Sequence, residues 1–167
     1  MDRLLIRHAL SEANNRANYG RLAFANKEAL LMPKGILQAQ QLGSVLRQEY
    51  AVSPEEKVAT STLARTQQTA QEAGLLNYTP YPLLDEVDHG TELPELRLML
   101  DQNQIPETAI EAAERLLKCP PEERIWFTHG LVIAGLSQTL GFDYSEHSER
   151  LVPKFCEIRT MSIPAAG

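Results

Sequence analysis

The sequence predicts an α/β fold, a three-layer sandwich in which a mostly parallel central sheet carries helices on both faces. Short apolar segments typical of strands alternate along the chain with amphipathic segments of helical spacing. The segment Ile125–Thr128 is continuously apolar rather than alternating, which is typical of a strand buried on both faces. Without an internal repeat or a linker, the 167-residue chain is expected to form one domain over residues 1–167.

The first half of the chain contains two strand–helix units. Residues 4–6 are expected to form a buried strand, and a helix follows the turn at residues 33–35. Val58–Thr60 predicts a second strand, and residues 63–74 predict a helix that ends at a glycine stop signal. The apolar positions of the first helix are Ala39, Leu42, Leu46 and Tyr50.

The second half of the chain continues the alternation. Residues 80–84 predict a brief strand, and the acidic stretch 85–95 is interpreted as an irregular loop over one end of the sheet. Ile125–Thr128 is expected to be a central strand, and residues 156–163 the last strand. Two amphipathic helices flank the central strand, one with Ala109, Ile110, Ala113, Leu116 and Leu117 on its apolar face, the other with Val132, Ile133, Leu136 and Leu140.

The composition restricts the classes of partner. The 16 Lys plus Arg against 22 Asp plus Glu give a formal net charge of −6, which argues against broad binding to nucleic acid or to an anionic membrane. The apolar runs are far shorter than the roughly 20 residues that cross a bilayer, and no secretory signal is recognised. Cys119 and Cys156 lack metal-ligand spacing and are interpreted as core residues of a cytoplasmic protein.

Three of the expected strands end in residues suited to phosphate chemistry. The three ends carry Arg7-His8, then Ser61 with Arg65, then His129-Gly130. In an open, mostly parallel sheet the carboxyl ends of the strands line one crevice, so these residues are expected to meet. Arginine presents a rigid fork of donors that matches phosphate oxygens. The pattern therefore predicts a phosphate pocket formed by two arginines and two histidines.

Five segments also carry recognisable motifs. Residues 5–14 contain Arg7-His8-Ala9 followed by a polar turn and Asn14, and residues 61–70 surround the second arginine. The remaining segments are residues 31–39, Leu84-Asp85-Glu86 with Gly90 four positions after the glutamate, and Thr128-His129-Gly130. In their order and spacing these segments resemble the histidine phosphatase superfamily, also called the phosphoglycerate mutase-like family, over most of the chain. Ala9 stands where that family usually has glycine.

The resemblance implies hydrolysis of phosphate monoesters in two steps, without a metal or other cofactor. A neutral nitrogen of His8 attacks phosphorus, the alcohol leaves, and water then hydrolyses the phosphohistidine. Glu86 is the implied general acid, and Asp85 and Asp88 are alternatives in the same loop. The residues implied to bind the phosphoryl oxygens are Arg7, Asn14, Arg65, His129 and Gly130.

Three other functions stay open at this stage. One is a phosphoglycerate mutase, although the stretch 90–126 is short for that class. Another is a weakly active or inactive phosphate-binding member of the family, because Ala9 would cost about 1–2 kcal/mol if its φ were positive. The third is a metal-dependent hydrolase using His8, His89 and His129, although no closely spaced pair of ligands is present.

The substrate is expected to be a small phosphorylated molecule, with a phosphoprotein as the alternative. The loops at residues 15–30 and 85–107 are expected to determine this choice, because loops over the sheet edge carry specificity. Within them Arg16, Arg21 and Lys27 are candidates for contact with a second anionic group. The sequence does not determine the oligomeric state.

Overall fold

The computed structural model describes residues 2–15, 26–89, 93–142 and 150–165. Its five strands form one sheet in the order β3-β2-β4-β1-β5. The first four strands are parallel to one another, and β5 runs antiparallel to β1 at one edge. The strands are β1 (Asp2–Arg7), β2 (Val58–Thr60), β3 (Tyr78–Pro80), β4 (Ile125–Thr128) and β5 (Ile158–Ser162). The α/β class and the mostly parallel sheet are confirmed.

Five helices accompany this sheet in the described part of the chain. They are α1 (Pro33–Glu49), α2 (Ala64–Glu72), α3 (Leu93–Asp101), α4 (Glu107–Lys118) and α5 (Gly130–Thr139). Two short 3₁₀ turns, Glu12–Asn14 and Pro82–Leu84, lie beside the carboxyl ends of the strands. None of the described helices is long and apolar enough to cross a bilayer.

Both faces of the sheet are covered, which makes the three layers. Leu4 and Ile6 of β1 contribute to a cluster with apolar residues of α1 and α2 on one face. Leu5 points to the opposite face, where it joins the cluster formed by α4 and α5. Trp126 and Phe127 of β4 are both fully buried, one in each cluster. The continuous apolar character of β4 therefore reflects burial on both faces.

Several element boundaries differ from the sequence-based expectation. A strand was expected at residues 80–84, but β3 ends at Pro80 and the turn Pro82–Leu84 follows it. Proline lacks the backbone N–H that pairing within a sheet requires. The expected loop at 85–95 ends earlier, because α3 begins at Leu93. Cys156 has a φ of 60°, a left-handed conformation that keeps it out of β5. Cys119 is exposed, so its interpretation as a core residue is wrong.

Candidate active site

The predicted site residues meet at the carboxyl ends of three adjacent strands. β4 lies between β1 and β2, and all three run parallel. Because these strands end at one edge, His8 follows β1 close to His129, which follows β4. The backbone N–H of His8 donates to the Thr128 carbonyl at 3.0 Å, and the two imidazole rings lie 5.1 Å apart between centroids. The convergence predicted from the strand ends is present.

The backbone fixes the protonation of His8. Its Nδ1 lies 2.7 Å from the carbonyl oxygen of Ala9, and because a carbonyl only accepts, Nδ1 carries the proton. Burial, together with the charges of Arg65 and Arg7, lowers the pKa of His8 well below its ordinary value. His8 is therefore neutral at neutral pH, and the lone pair on Nε2 makes that nitrogen a nucleophile.

Ala9 fits its position without backbone strain. It is fully buried, and its φ is not among the positive values in the described residues. Its N–H donates to the Thr69 hydroxyl at 3.0 Å, and its methyl group packs in a small cluster with Leu31 and Ala39. The strain that motivated an inactive family member is therefore absent, and the Ala9 carbonyl instead orients His8.

We expect Ala9→Gly to leave kcat/KM within about threefold of wild type, because the methyl group lies in the apolar cluster. The same change should lower the free energy of unfolding by about 1–2 kcal/mol, through lost burial and greater freedom of the unfolded chain. Urea unfolding and phosphate-release kinetics measure the two effects. A large rise in kcat/KM would show instead that the methyl group obstructs the site.

Arg7 is held rigidly at the end of β1. Its Nη1 donates to the Pro153 carbonyl at 2.7 Å, and its Cζ lies 4.1 Å from the centroid of the Phe155 ring. Within the described residues, its buried Nε has no hydrogen-bond partner. Burial lowers the pKa of Arg7 to about 10, which keeps the guanidinium charged at neutral pH.

Arg65 provides the second guanidinium from the first turn of α2. The side chain is 1% exposed, and its Nη1 donates to the Asn26 carbonyl at 3.1 Å. Burial lowers the pKa of Arg65, while the carboxylates of Glu86 and Asp85 raise it. Its charge also helps to lower the pKa of His8, so the site has a strongly positive potential that favours a dianionic group.

His129 is positioned by Ser61, the first residue after β2. The Ser61 hydroxyl lies 2.8 Å from Nε2 of His129 and 2.8 Å from the Thr66 hydroxyl. In the described part of the chain, the buried Nδ1 of His129 has no partner. The Thr66 hydroxyl itself donates to the Leu63 carbonyl at 3.0 Å, so a chain of hydrogen bonds links His129 through Ser61 to the start of α2. Sequence reasoning placed Ser61 in a motif but gave it no role.

Gly130 lies close to the side chains of Val152 and Arg7. A Cβ at this position would lie 3.0 Å from Val152 Cγ1 and 3.2 Å from Arg7 Nε, tighter than most real contacts. Gly130 also begins α5. The N–H of Leu131 interacts with the Glu86 carboxylate and lowers its pKa slightly. Gly130 thus allows the N-terminus of α5 to lie close to Arg7.

Among the three acidic candidates, the geometry favours Glu86 as the proton donor. Glu86 lines the same cavity as Arg7, and burial raises its pKa even though Arg65 and Arg7 oppose this shift. Asp85 accepts hydrogen bonds from the N–H and hydroxyl of Thr62 at 2.7 and 2.8 Å. Asp88 is exposed and lines a neighbouring groove. The predicted spacing to Gly90 lies outside the described residues.

Asn14 lies at the same cavity, at the end of the first 3₁₀ turn. Its Oδ1 accepts from the Ser11 hydroxyl at 2.8 Å, which leaves the amide Nδ2 as the group for a ligand. Of the cations predicted to meet a second anion, Lys27 is exposed and does not line this cavity. Arg16 and Arg21 lie outside the described residues.

Two buried neutral histidines should make the protein sensitive to acid. The pKa values of His8 and His129 in the folded protein are both lowered from 6.5. Below pH 6.5 the unfolded chain therefore binds protons that the folded protein does not, and the free energy of unfolding decreases as the pH falls. Each contributes a slope of at most about 1.4 kcal/mol per pH unit. We expect the free energy of unfolding to fall from pH 7 towards pH 5 in phosphate-free buffer.

The matched variant for this prediction is His129→Gln, which keeps an amide nitrogen near Ser61 but does not titrate. We expect a shallower pH dependence in urea unfolding than in wild type. Glu86 has the opposite effect, because its pKa is raised in the folded protein. Its contribution to the free energy of unfolding is complete below pH 4.5 and is lost as the pH rises through the pKa of the folded state. That contribution is common to both proteins. Parallel curves for wild type and variant would contradict the prediction.

No group of three or more His, Cys, Asp or Glu side chains suited to a metal ion is found among the described residues. His8 and His129 lie together, and the charges of Arg65 and Arg7 act on both rings. Such a setting repels a cation and favours an anion. Metal independence stays a prediction, for which a chelator provides the test.

A sheet edge with two buried histidines and two guanidiniums defines an anion site of the kind used in phosphoryl transfer. The family model of the histidine phosphatase superfamily (branch 1) matches residues 4–123. The chain belongs to this superfamily. A search of curated protein sequences finds no match.

Solved structures with the same fold have low sequence identity to the chain. TTHB049 from Thermus thermophilus superposes with a TM-score of 0.65 at 21% identity, covering 98% of this chain and 95% of that protein. A phosphoglycerate mutase from the same organism has a TM-score of 0.60 at 20% identity, with coverages of 98% and 94%. A candidate alpha-ribazole-5'-P phosphatase from Escherichia coli has a TM-score of 0.56 at 21% identity, with coverages of 87% and 82%. These similarities confirm the fold.

Proposed function

We propose that this protein is a phosphatase that hydrolyses phosphate monoesters through a phosphohistidine on His8. The observation that carries the proposal is the fixed, neutral imidazole of His8. Its Nδ1 donates its proton to the Ala9 carbonyl at 2.7 Å, and its Nε2 lone pair lies in a site with the guanidiniums of Arg7 and Arg65. A nucleophile that is neutral beside donors for an anion meets both requirements of covalent phosphoryl transfer.

In the first step, Nε2 of His8 forms a bond to phosphorus while the bond from phosphorus to the alcohol oxygen breaks. The leaving oxygen receives the proton of Glu86, and the burial that raises the pKa of this carboxyl favours its protonated form. Donors from Arg7, Arg65 and His129 stabilise the charge on the three transferring oxygens. The phosphorylated ring is cationic, and its Nδ1 keeps its proton and goes on donating to the Ala9 carbonyl.

In the second step, the Glu86 carboxylate takes a proton from water as the water oxygen attacks phosphorus. The bond between His8 Nε2 and phosphorus breaks, inorganic phosphate leaves, and Glu86 is again protonated. Positive potential from Arg7 and Arg65 stabilises both transfers, because the phosphoryl group keeps its negative charge throughout. We place this reaction in the cytoplasm, with a small phosphorylated molecule as substrate.

Transfer of the phosphoryl group to a second alcohol, as in a phosphoglycerate mutase, is the nearest alternative. It uses the same first step and differs only in the acceptor. Incubation of the protein with phosphoglycerate therefore separates the two reactions, because hydrolysis releases inorganic phosphate and a mutase gives the isomeric phosphoglycerate. We expect released phosphate. Isomerisation without release would replace hydrolysis by mutase activity.

A panel of phosphate monoesters, assayed with and without a chelator, tests the proposed reaction. We expect release of inorganic phosphate that survives the chelator and is inhibited by vanadate, which mimics the pentacoordinate phosphoryl group. A preparation of His8→Gln, purified in the same way, is the control for contaminating phosphatases. Activity that is lost with the chelator and restored by a divalent ion would contradict the His8 mechanism.

A further inference from the structure

A mostly apolar cavity lies beside the phosphoryl site. It has a volume of about 260 Å³ and reaches from Arg7 and Glu86 to a wall of aliphatic and aromatic side chains. This volume is below the roughly 300–1,000 Å³ typical of sites for drug-sized ligands. In the described part of the chain, six apolar side chains form this wall: Leu10, Leu96, Leu100, Leu131, Val152 and Phe155.

The cavity is continuous with the reaction site through Phe155. The ring of Phe155 supports the Arg7 guanidinium at 4.1 Å and lies 6.0 Å from the His8 ring between centroids. It also belongs to the apolar wall. A group attached to a phosphate on His8 would therefore pass Phe155 to enter the cavity.

Both sides of the wall are held in place by the fold. Leu96 and Leu100 are one helical turn apart on α3, so they present one face to the cavity. On the other side, the fully buried Arg159 donates to the carbonyl of Arg150 at 2.7 Å and to that of Leu151. Its Nε is paired with Glu157 at 2.7 Å. These bonds fix the segment that carries Val152 and Phe155.

Among the described residues that line the cavity, the charges lie mainly at its reacting end, with the polar Asn14 and His89 also in the lining. Arg7 and Glu86 are committed to the phosphoryl chemistry, and Arg97 is an exposed residue of the cavity. Apolar surface that is open to water in the free protein gains free energy when an apolar ligand covers it. An alcohol with charged substituents would leave these charges against leucine side chains and lose hydration.

We propose that the preferred substrates are phosphate monoesters of apolar alcohols, whose hydrocarbon part lies against Leu96, Leu100 and Phe155. This inference rests on the proposed phosphatase function and adds the class of leaving group. The fixed walls select for shape as well as for apolar character, since they are held by the Arg159 hydrogen bonds. A phosphorylated sugar or a phosphorylated carboxylic acid is a poorer match to the same wall.

A series of unbranched alkyl phosphates from ethyl to hexyl tests the proposal. These alcohols have similar acidity, so the chemical step is comparable and the chain length changes mainly the apolar contact. We expect kcat/KM to rise roughly three- to fourfold per added methylene until the cavity is filled. Alkyl phosphates of matched length with a terminal carboxylate should lose this gain. A flat series, or a preference for the carboxylates, would overturn the proposal.

Two variants on α3 locate the effect. Leu100→Ala should lower the ratio of kcat/KM for hexyl phosphate to that for ethyl phosphate by roughly three- to tenfold. Leu98→Ala is the matched control, because Leu98 is on the same helix but is 61% exposed and does not line the cavity. We expect it to leave the ratio unchanged. Equal ratios in Leu100→Ala and wild type would overturn the assignment of this wall.

Failure of this inference is distinguishable from failure of the proposed function. Acetyl phosphate is small, polar and activated, so it should phosphorylate His8 whatever alcohol the cavity prefers. Labelling of His8 together with a flat alkyl series would overturn the apolar preference and leave the phosphatase mechanism standing. No labelling and no phosphate release from any ester would overturn both.

Discussion

Replacement of His8 by glutamine lowers kcat/KM for every phosphate monoester by roughly 10⁴–10⁶-fold, the loss typical of removing a covalent nucleophile. The glutamine side chain fills similar space but offers no basic nitrogen to phosphorus. Binding of phosphate by Arg7, Arg65 and His129 should survive, so inhibition constants for vanadate or phosphate change much less than turnover. Steady-state kinetics on a phosphate ester and titration with phosphate measure the two quantities.

The fold is expected to withstand this change. His8 is buried beside two arginines that disfavour its charged form, and glutamine removes an ionisable group from that setting. Unfolding in urea at low pH should therefore be no easier than for wild type. Turnover of His8→Gln within tenfold of wild type, with the fold intact, would contradict the assignment of His8 as nucleophile.

Replacement of Glu86 by glutamine has the second largest expected effect, and its size depends on the leaving group. Alkyl phosphates should lose roughly 10²–10⁴ in kcat, the usual contribution of a general acid. A nitrophenyl phosphate should lose much less in the first step, because its phenolate leaves without a proton. Burst kinetics with the nitrophenyl ester separate phosphorylation of the protein from hydrolysis of the phosphohistidine.

The matched control for Glu86 is Asp88→Asn, which changes a nearby carboxylate that lines the neighbouring groove. This variant should keep nearly full activity with both kinds of ester. Equal losses for alkyl and aryl esters in the phosphorylation step of Glu86→Gln would show that Glu86 is not the acid. A leaving-group-dependent loss in Asp88→Asn would transfer that role to Asp88.

Much of the site follows from the order of strands in the sequence. β1, β2 and β4 could be recognised from local patterns, and parallel strands place their carboxyl ends at one edge. The proximity of Arg7-His8 to His129 could therefore be predicted without knowledge of side-chain packing. The choice of Glu86 over Asp85 and Asp88 did depend on side-chain packing, because only the structure shows that Asp85 accepts a hydrogen bond from Thr62.

The residues that support the site were not predictable. Pro153 and Phe155 hold Arg7 from a part of the chain 146 residues or more away, and neither belongs to a motif. Arg159 appears in the sequence as an ordinary strand cation, but it is fully buried and bonded to two carbonyls. Such contacts depend on how the last strand returns beside β1, which local spacing does not specify.

The central claim is that the phosphoryl group passes through His8. Glu86→Gln mixed rapidly with a nitrophenyl phosphate should accumulate the phosphorylated protein, because slow hydrolysis then follows fast transfer. Quenching in alkali preserves phosphohistidine, and peptide mapping by mass spectrometry locates it. The mechanism predicts one phosphoryl group on His8. Phosphate release with no phosphorylated protein, or a phosphoryl group on another residue, would contradict it.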